Sequence, residues 1–132
     1  MQKSFFAVCL FAAGSLLAAG PDEARFRESM KQIGPTCSGL GKKIAAKDAS
    51  ATEDAKKLNT WFGDVHKFWK ARKSTDGVLY SKAAGTEFKG ISKLTAAGKW
   101  DEASASFKKA TENCAGCHKV HREKGEGGWK IK

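Results

Sequence analysis

Apolar residues recur at helical spacing along most of the chain. The clearest stripe advances by alternating steps of four and three residues: Ala51, Ala55, Leu58, Phe62, Val65 and Trp69. This spacing places every member on one face of an amphipathic α-helix. Alternation with period two is rare and β-branched residues are scarce, so the pattern predicts an all-α protein.

The first predicted helix runs from about Asp22 to Lys47, with Phe26, Met30 and Ile33 on one face. The pair Gly34-Pro35 interrupts it. Because proline removes a backbone hydrogen bond and clashes with the preceding turn, we expect the helix to kink there or to restart at the proline.

Three more helices follow. The second helix of the chain carries the stripe from Ala51 to Trp69 and ends at "KARKSTDG". The third spans about Val78–Ala97 and is closed by Gly98. Its expected buried side is Leu79, Ala83, Phe88, Ile91 and Leu94. The fourth spans about Asp101–Lys124 with Asp101 as N-cap, and the tail "GEGGWKIK" is expected to be loose. Short connections between helices of this length predict an antiparallel up-down-up-down four-helix bundle.

Residues 1–20 differ from the rest of the chain. "MQKSFFAVCLFAAGSLLAAG" combines one cation, a short apolar run and small residues, which is typical of a cleaved secretory signal peptide. The alternative is an uncleaved N-terminal anchor. We therefore expect export to the periplasm and a single domain over residues 21–132.

The chain is strongly basic, with 24 Lys and Arg against 14 Asp and Glu. The lysines are spread along every segment, which fits a solvated surface or a surface that docks acidic partners. The basic residues do not form a run with interleaved aromatics, so we expect no nucleic-acid partner.

The stretch "ENCAGCHKVHRE" carries the candidate chemistry. Cys114, Cys117 and His118 are related as i, i+3 and i+4, so a helix presents all three on one face. Two thiols can bond to the two vinyl groups of a haem while the imidazole binds its iron. The C-x-x-C-H pattern therefore predicts covalent attachment of one haem c.

Three alternatives compete with haem attachment. A thioredoxin-like thiol pair belongs at a helix N-terminus after a strand, whereas this motif lies near a helix C-terminus. A zinc site would need a fourth ligand, and His121 would crowd all four onto one helix. The third alternative is a pair of buried structural cysteines.

The second axial ligand of the iron must come from another helix. Met30 is the single methionine that follows the signal segment, and it lies on the apolar side of the first helix. It could instead be a flexible core residue. His66 on the second helix is the other candidate, because His121 shares a helix with His118.

The segment "CAGCHKVHREK" resembles the haem-binding signature of the class II c-type cytochromes, the cytochrome c′ family. "FRESMKQIG" and "AAGKWDEASASFKKATENCAGCH" also resemble that family, so the similarity covers residues 21–132. The resemblance implies thioether links at Cys114 and Cys117 and proximal ligation by His118. It further implies that Arg122 and Arg27 lie beside the haem.

In the resemblance, Met30 occupies the distal position. A methionine there implies the low-spin branch of the family, in which it binds the iron. Two residues depart from the family pattern: His121 stands where an aromatic residue is usual, and Pro35 follows Met30 within the first helix.

We therefore predict a one-electron carrier rather than an enzyme, exchanging electrons with periplasmic redox proteins that have acidic docking surfaces. The alternative is a five-coordinate cytochrome c′ that binds nitric oxide or carbon monoxide. A haem-free helical interaction domain is a more distant alternative. The resemblance also allows a homodimer, and Cys37 is interpreted as a small buried thiol that could otherwise bridge two chains.

Overall fold

The computed structural model of the protein describes residues 21–132. The predicted signal peptide, residues 1–20, lies outside the described residues. The elements in chain order are α1 (Pro21–Ala45), α2 (Ala51–Ala71), α3 (Thr75–Ala96), α4 (Trp100–His121), β1 (Arg122–Gly125) and β2 (Gly128–Ile131).

The four helices of the described region agree with the predicted four-helix bundle. Each helix packs against the next one in the chain, and α1 also contacts α4, which closes the arrangement. The packing is most extensive between α2 and α3 and between α3 and α4, and least extensive between α1 and α4. Within residues 21–132, every helix is too short or too polar to cross a bilayer.

The core is centred on α2. All six residues of the predicted stripe from Ala51 to Trp69 are buried. They pack against Phe26, Ile33 and Leu40 of α1, Phe88 and Ile91 of α3, and Ala103 and Ala110 of α4. The fully buried alanines let neighbouring helices approach closely, because no long side chain keeps the backbones apart.

The first three helices end in the same way. Lys47, Lys73 and Gly98 adopt left-handed backbone conformations with φ of 53°, 54° and 72°. The next residue in each case donates its backbone N–H to the carbonyl five residues before it, for example Lys99 N to Leu94 O at 2.8 Å. This is the Schellman arrangement, which satisfies carbonyls at a helix C-terminus. The predicted closure of the third helix by Gly98 is confirmed.

Helix α1 continues through Pro35, so a restart at the proline is wrong. Ile33 and Leu40, on the two sides of Pro35, are both buried in the same core. Their packing outweighs a proline cost of about 3 kcal/mol.

The predicted burial of Leu79 is wrong, since 61% of it is exposed. The predicted burial of Phe88 and Ile91 is confirmed, and the rest of the buried stripe of α3 consists of small and hydroxylated residues: Gly77, Ser81, Ala84 and Thr95. Ser81 Oγ donates to Gly77 O at 2.6 Å, and Thr95 Oγ1 donates to Ile91 O at 2.9 Å. Because the helix backbone satisfies these hydroxyls, Ser81 and Thr95 can be buried although the hydropathy pattern did not predict it.

Both ends of the fourth helix differ from the prediction. Lys99 is the N-cap, and Asp101 lies in the first turn, where its carboxylate faces the positive end of the helix dipole. At the other end the helix stops at His121. Residues predicted as helix and loose tail form an antiparallel hairpin, which pairs Arg122 with Ile131 and Gly125 with Gly128.

Candidate cofactor site

The motif on α4 presents its three chemical groups on one face. Cys117 is buried, and Cys114 and His118 are half-buried. Gly116, between them, lies under the ring of Tyr80 from α3. A Cβ added at Gly116 would come within 2.6 Å of Tyr80 Cε1. The turn that carries both cysteines is therefore held directly against α3.

Helix α1 lies opposite this motif and runs antiparallel to α4. Near the far end of the pair, Gly41 faces Phe107, and a Cβ on Gly41 would lie 2.9 Å from Phe107 Cε1. At the motif end the two helices are separated by a cavity of about 280 Å³. Met30 of α1 and His118 of α4 both line this cavity.

The first cavity is mainly apolar. Its lining includes Ile33, Phe62, Val65, Phe107 and both motif cysteines. It is bounded by α1 on one side and by α2, α3 and α4 on the others, so a group held there would lie mainly against apolar side chains.

A second cavity, of about 510 Å³, adjoins the first. Met30, Cys117 and His118 line both. The remaining wall is formed by Phe26, Trp69 and the C-terminal hairpin through Trp129, Lys130 and Ile131. The side chains of Met30 and His118 therefore border one extended space that a planar group of several hundred Å³ could occupy.

The second cavity has a cationic rim. Arg27, Lys31, Arg122 and Lys130 all line it. Trp69 also lines it, and its buried Nε1 has no hydrogen-bond partner among the described residues. A buried N–H of this kind costs free energy unless an acceptor pairs with it. The rim is therefore suited to a ligand that carries carboxylates.

The two arginines predicted from the sequence have additional partners. Arg27 Nη2 donates to Glu23 Oε1 at 3.0 Å, and Arg72 Nη2 donates to the other oxygen of the same carboxylate at 3.2 Å. The Arg122 guanidinium lies 3.9 Å from the centre of the Trp129 ring. Arg122 begins β1, so the hairpin positions it rather than a further turn of α4.

Burial keeps the motif thiols protonated at neutral pH. It raises the pKa of Cys114 to about 12, with smaller contributions from the neighbouring Cys37 and Cys117. Burial and the charge of Asp76 raise the pKa of Cys117 to about 11. These are not the depressed values of a thiol-disulfide catalyst, and a thioredoxin-like role is not supported.

The pKa of His118 is shifted in the opposite direction. Burial lowers it, and the nearby Arg122 cation lowers it further. Both effects favour the neutral imidazole, which is the form that binds a metal.

Of the other two histidines, His121 also lines the second cavity, whereas His66 lies outside the site. His121 packs on Trp69 with ring centroids 4.2 Å apart, and its Nε2 is 3.5 Å from Ser74 Oγ. It thus serves as an aromatic residue behind the motif. His66 lines neither cavity and lies on the outer side of α2 and α3, with its Nδ1 3.4 Å from Ser81 Oγ.

The structure adds site residues that the sequence did not single out. Tyr80, Trp69 and the hairpin residues Trp129 and Ile131 are brought to the motif by tertiary packing. Cys37 is half-buried and lines the first cavity, and burial raises the pKa of its thiol. A glycine-rich turn between two short segments was the available signal for the hairpin.

The described residues contain no group of three or more His, Cys, Asp or Glu side chains arranged to hold a metal ion. A zinc site built from the motif and His121 is therefore not supported. Comparisons with known proteins found no match to this chain among family models, curated proteins or solved structures.

Proposed function

We propose that this protein is a periplasmic c-type cytochrome that carries one electron on a covalently attached haem c. One observation carries the proposal: Met30 and His118 approach the same extended space from opposite helices, beside the thiol pair Cys114 and Cys117. A haem c supplies a single-electron change between ferric and ferrous iron when bound. No catalytic role is proposed for the chain.

The residues present fit this group. Cys114 and Cys117 would each add a sulfur–hydrogen bond across one vinyl double bond, which leaves two thioethers and releases nothing. His118 and Met30 would bind the iron, and this pairing favours the reduced state relative to two histidines. Arg122 supports ligation by His118, because its charge disfavours the imidazolium form.

The two cavities would contact different parts of the haem. The apolar lining of the first cavity would contact the apolar part of the bound group. Arg27, Lys31, Arg122 and Lys130 would face its carboxylates, and Trp69 Nε1 would gain the acceptor that the described residues do not supply. A mainly apolar cavity that adjoins one with a cationic rim thus matches a molecule with an apolar body and an acidic edge.

A second candidate is the five-coordinate protein that binds nitric oxide or carbon monoxide. It is favoured by the position of Gly34, one turn after Met30 on the wall of the first cavity. An ideal Cβ there would meet no atom within 4 Å. This open space beside Met30 could admit a diatomic gas if the thioether moved away from the iron.

Optical spectra of the purified protein test both candidates. The electron carrier predicts a Soret band with a low-spin ferric spectrum, and Met30→Ala should convert it to high-spin and admit carbon monoxide to the ferrous form. Ile33→Ala is the matched control, because Ile33 lines the same cavity from the same helix and has no ligating atom. It should leave the spin state unchanged.

Other outcomes decide against the carrier. A high-spin wild-type spectrum with rapid carbon monoxide binding supports the gas-binding protein. A low-spin spectrum that persists in Met30→Ala identifies a different sixth ligand and removes Met30 from the proposed role. Absence of a Soret band rules out every haem-based function.

A further inference from the structure

A groove on the far side of the core separates the outer faces of α2 and α3. Its volume is about 480 Å³, and it is open to solvent. Three lysines line it, Lys70 from α2 and Lys82 and Lys89 from α3, together with His66 and the polar side chains of Asn59 and Thr86. Among the described residues, no Asp or Glu lines this α2–α3 groove.

The positive charge of the groove is not neutralised locally. Lys70, Lys82 and Lys89 are exposed, and none of them makes an ion pair with another described residue.

The acidic residues of α2 are engaged elsewhere. Asp54 accepts from Lys43 Nζ at 2.7 Å, and Glu53 pairs with Lys56 at 2.9 Å. Asp64 lies 4.0 Å from Arg25 of α1. The groove lining therefore carries three lysine charges and no carboxylate among the described residues, and such a patch attracts anionic surfaces.

The floor of the groove is also a wall of the cofactor site. Phe62 and Ser81 line both the α2–α3 groove and the first cavity, which contains Cys114 and Cys117. One layer of side chains thus separates a molecule seated in the groove from the space between α1 and α4. The other exposed lysines of α2 and α3 line neither the groove nor the first cavity.

We propose that the α2–α3 groove is the docking site for an acidic surface of the redox partner, and that the electron crosses the wall formed by Phe62 and Ser81. The proposal rests on the proposed function for its redox step: the partner loses one electron and the bound iron gains it, or the reverse. Charge complementarity identifies the partner's surface, because three unpaired lysines around a groove free of carboxylates match clustered Asp and Glu side chains.

The docking step can be tested without reference to the cofactor. The probe is the soluble domain of cytochrome b5, an acidic haem protein, added unlabelled to the ¹⁵N-labelled protein at low ionic strength. Amide shifts should change around Asn59, Lys70, Lys82 and Lys89. The triple variant K70E/K82E/K89E should lose these changes. Shift changes centred on another face would overturn the proposal.

The electron-transfer step needs a kinetic measurement. Reduced cytochrome b5 is mixed with the oxidised protein, and the bimolecular rate constant is followed optically. We expect K70E/K82E/K89E to lower it at least about tenfold at low salt, with the difference shrinking as salt screens the charges.

The control variant K57E/K108E/K109E makes the same change in net charge at exposed lysines outside the groove. It should lower the rate constant much less. Equal losses in the two variants would show that only net charge matters and would overturn the proposal. Oxidation of the reduced protein by ferricyanide provides a further check. If K70E/K82E/K89E slows this reaction but leaves the reaction with cytochrome b5 unchanged, the groove is a site for small anions, and the proposal is overturned.

The two proposals fail in different ways. Absence of a Soret band removes the electron carrier, yet the amide shifts still report whether the groove binds an acidic protein. A normal haem spectrum without groove-specific shifts or rate changes removes only the docking site.

Discussion

Gly116 shows how one missing methyl group fixes the geometry of the candidate site. It stands between the two motif cysteines and lies directly under Tyr80 of α3. A side chain at this position would have to displace either the ring or the helix. The glycine within "CAGCH" is therefore a packing requirement of this particular bundle, and the spacing of the cysteines does not by itself demand it.

Gly116→Ala should lower the free energy of unfolding by about 1–3 kcal/mol, the usual cost of overpacking. Thermal or denaturant unfolding measures it. Ala115→Ser is the control, because Ala115 is an exposed neighbour on the same turn, and it should change stability by less than about 0.5 kcal/mol. An alanine variant as stable as the wild type would contradict the close approach of Tyr80.

Asp48 makes the start of α2 sensitive to acid. Its Oδ1 accepts the backbone N–H of Ser50 at 2.8 Å. This bond, followed by the Ser50 side chain and the charge of Lys43, lowers the pKa of the carboxyl group. A lowered pKa in the folded state stabilises the protein above the unfolded pKa of about 3.9, and the effect is lost as the pH falls through the folded value.

Asp48→Ala should therefore have a lower Tm than the wild type at pH 7, and the two should converge as the pH falls below about 4. Asp48→Asn keeps the acceptor but not the charge, so its Tm should lie between them and should not show the same titration. Thermal melts between pH 2 and pH 7 measure the effect. A constant gap between wild type and Asp48→Ala would contradict this explanation.

At the residue scale, the sequence spacing was sufficient to predict which residues lie together where the site lies within one helix. Cys114, Cys117 and His118 share a face because i, i+3 and i+4 always do. Contacts between helices could not be read in the same way. Nothing near His121 in the sequence indicates that it packs on Trp69, and nothing near Cys37 indicates that its thiol reaches the first cavity.

At the scale of elements, two of the three links between helices contain a residue with a strained backbone conformation that a substitution could relieve. All three require one left-handed residue, but only Gly98 is a glycine. Lys47 and Lys73 adopt the same conformation with a Cβ, which costs roughly 1–2 kcal/mol for an L-residue.

Lys47→Gly and Lys73→Gly should each stabilise the protein by about 0.5–1 kcal/mol, since relief of the strain exceeds the added entropy of a glycine in the unfolded chain. The reciprocal change, Gly98→Ala, should destabilise it by a similar amount. Denaturant midpoints measure all three. Destabilisation by both lysine replacements would indicate that their side chains contribute interactions larger than the strain.

The sequence predicted the elements correctly where the apolar periodicity was strong. It failed where polar residues are buried or where a strand is highly charged. The stripe of α2 is apolar throughout, and every predicted member is buried. Helix α3 buries Ser81 and Thr95 through bonds to its own carbonyls, which hydropathy cannot reveal, and Leu79 was assigned wrongly as a result. The hairpin was missed because β1, with three charged residues among "REKG", does not resemble a strand.

At the scale of the whole molecule, the space between α1 and α4 makes stability depend on what fills it. We predict that C114A/C117A, which cannot attach a cofactor covalently, will be less stable than the wild type by several kcal/mol. An unfilled cavity in a protein core lowers the free energy of unfolding by about 24 cal/mol per Å³. Thermal unfolding of the purified variants measures this.

Cys37→Ala is the matched control for the double variant. It removes a thiol from the same cavity and keeps both cysteines of the motif. If the proposed function holds, the variant should retain the Soret band and lose only about 1 kcal/mol. Equal stability of C114A/C117A and the wild type would mean that the bundle does not need a bound group.

The loose pairing of α1 with α4 has a consequence for the order of assembly. The extensive pairs, α2 with α3 and α3 with α4, join neighbours in the chain, whereas α1 must meet α4 across nearly the whole chain length. Closing a long loop is slow relative to forming local contacts, so the contact between α1 and α4 should form after the pairs of neighbouring helices. Until then Cys114 and Cys117 stay uncovered on the side of α1. Pulse-labelled hydrogen exchange should find α1, whose helix pairing is the least extensive, the last helix to gain protection.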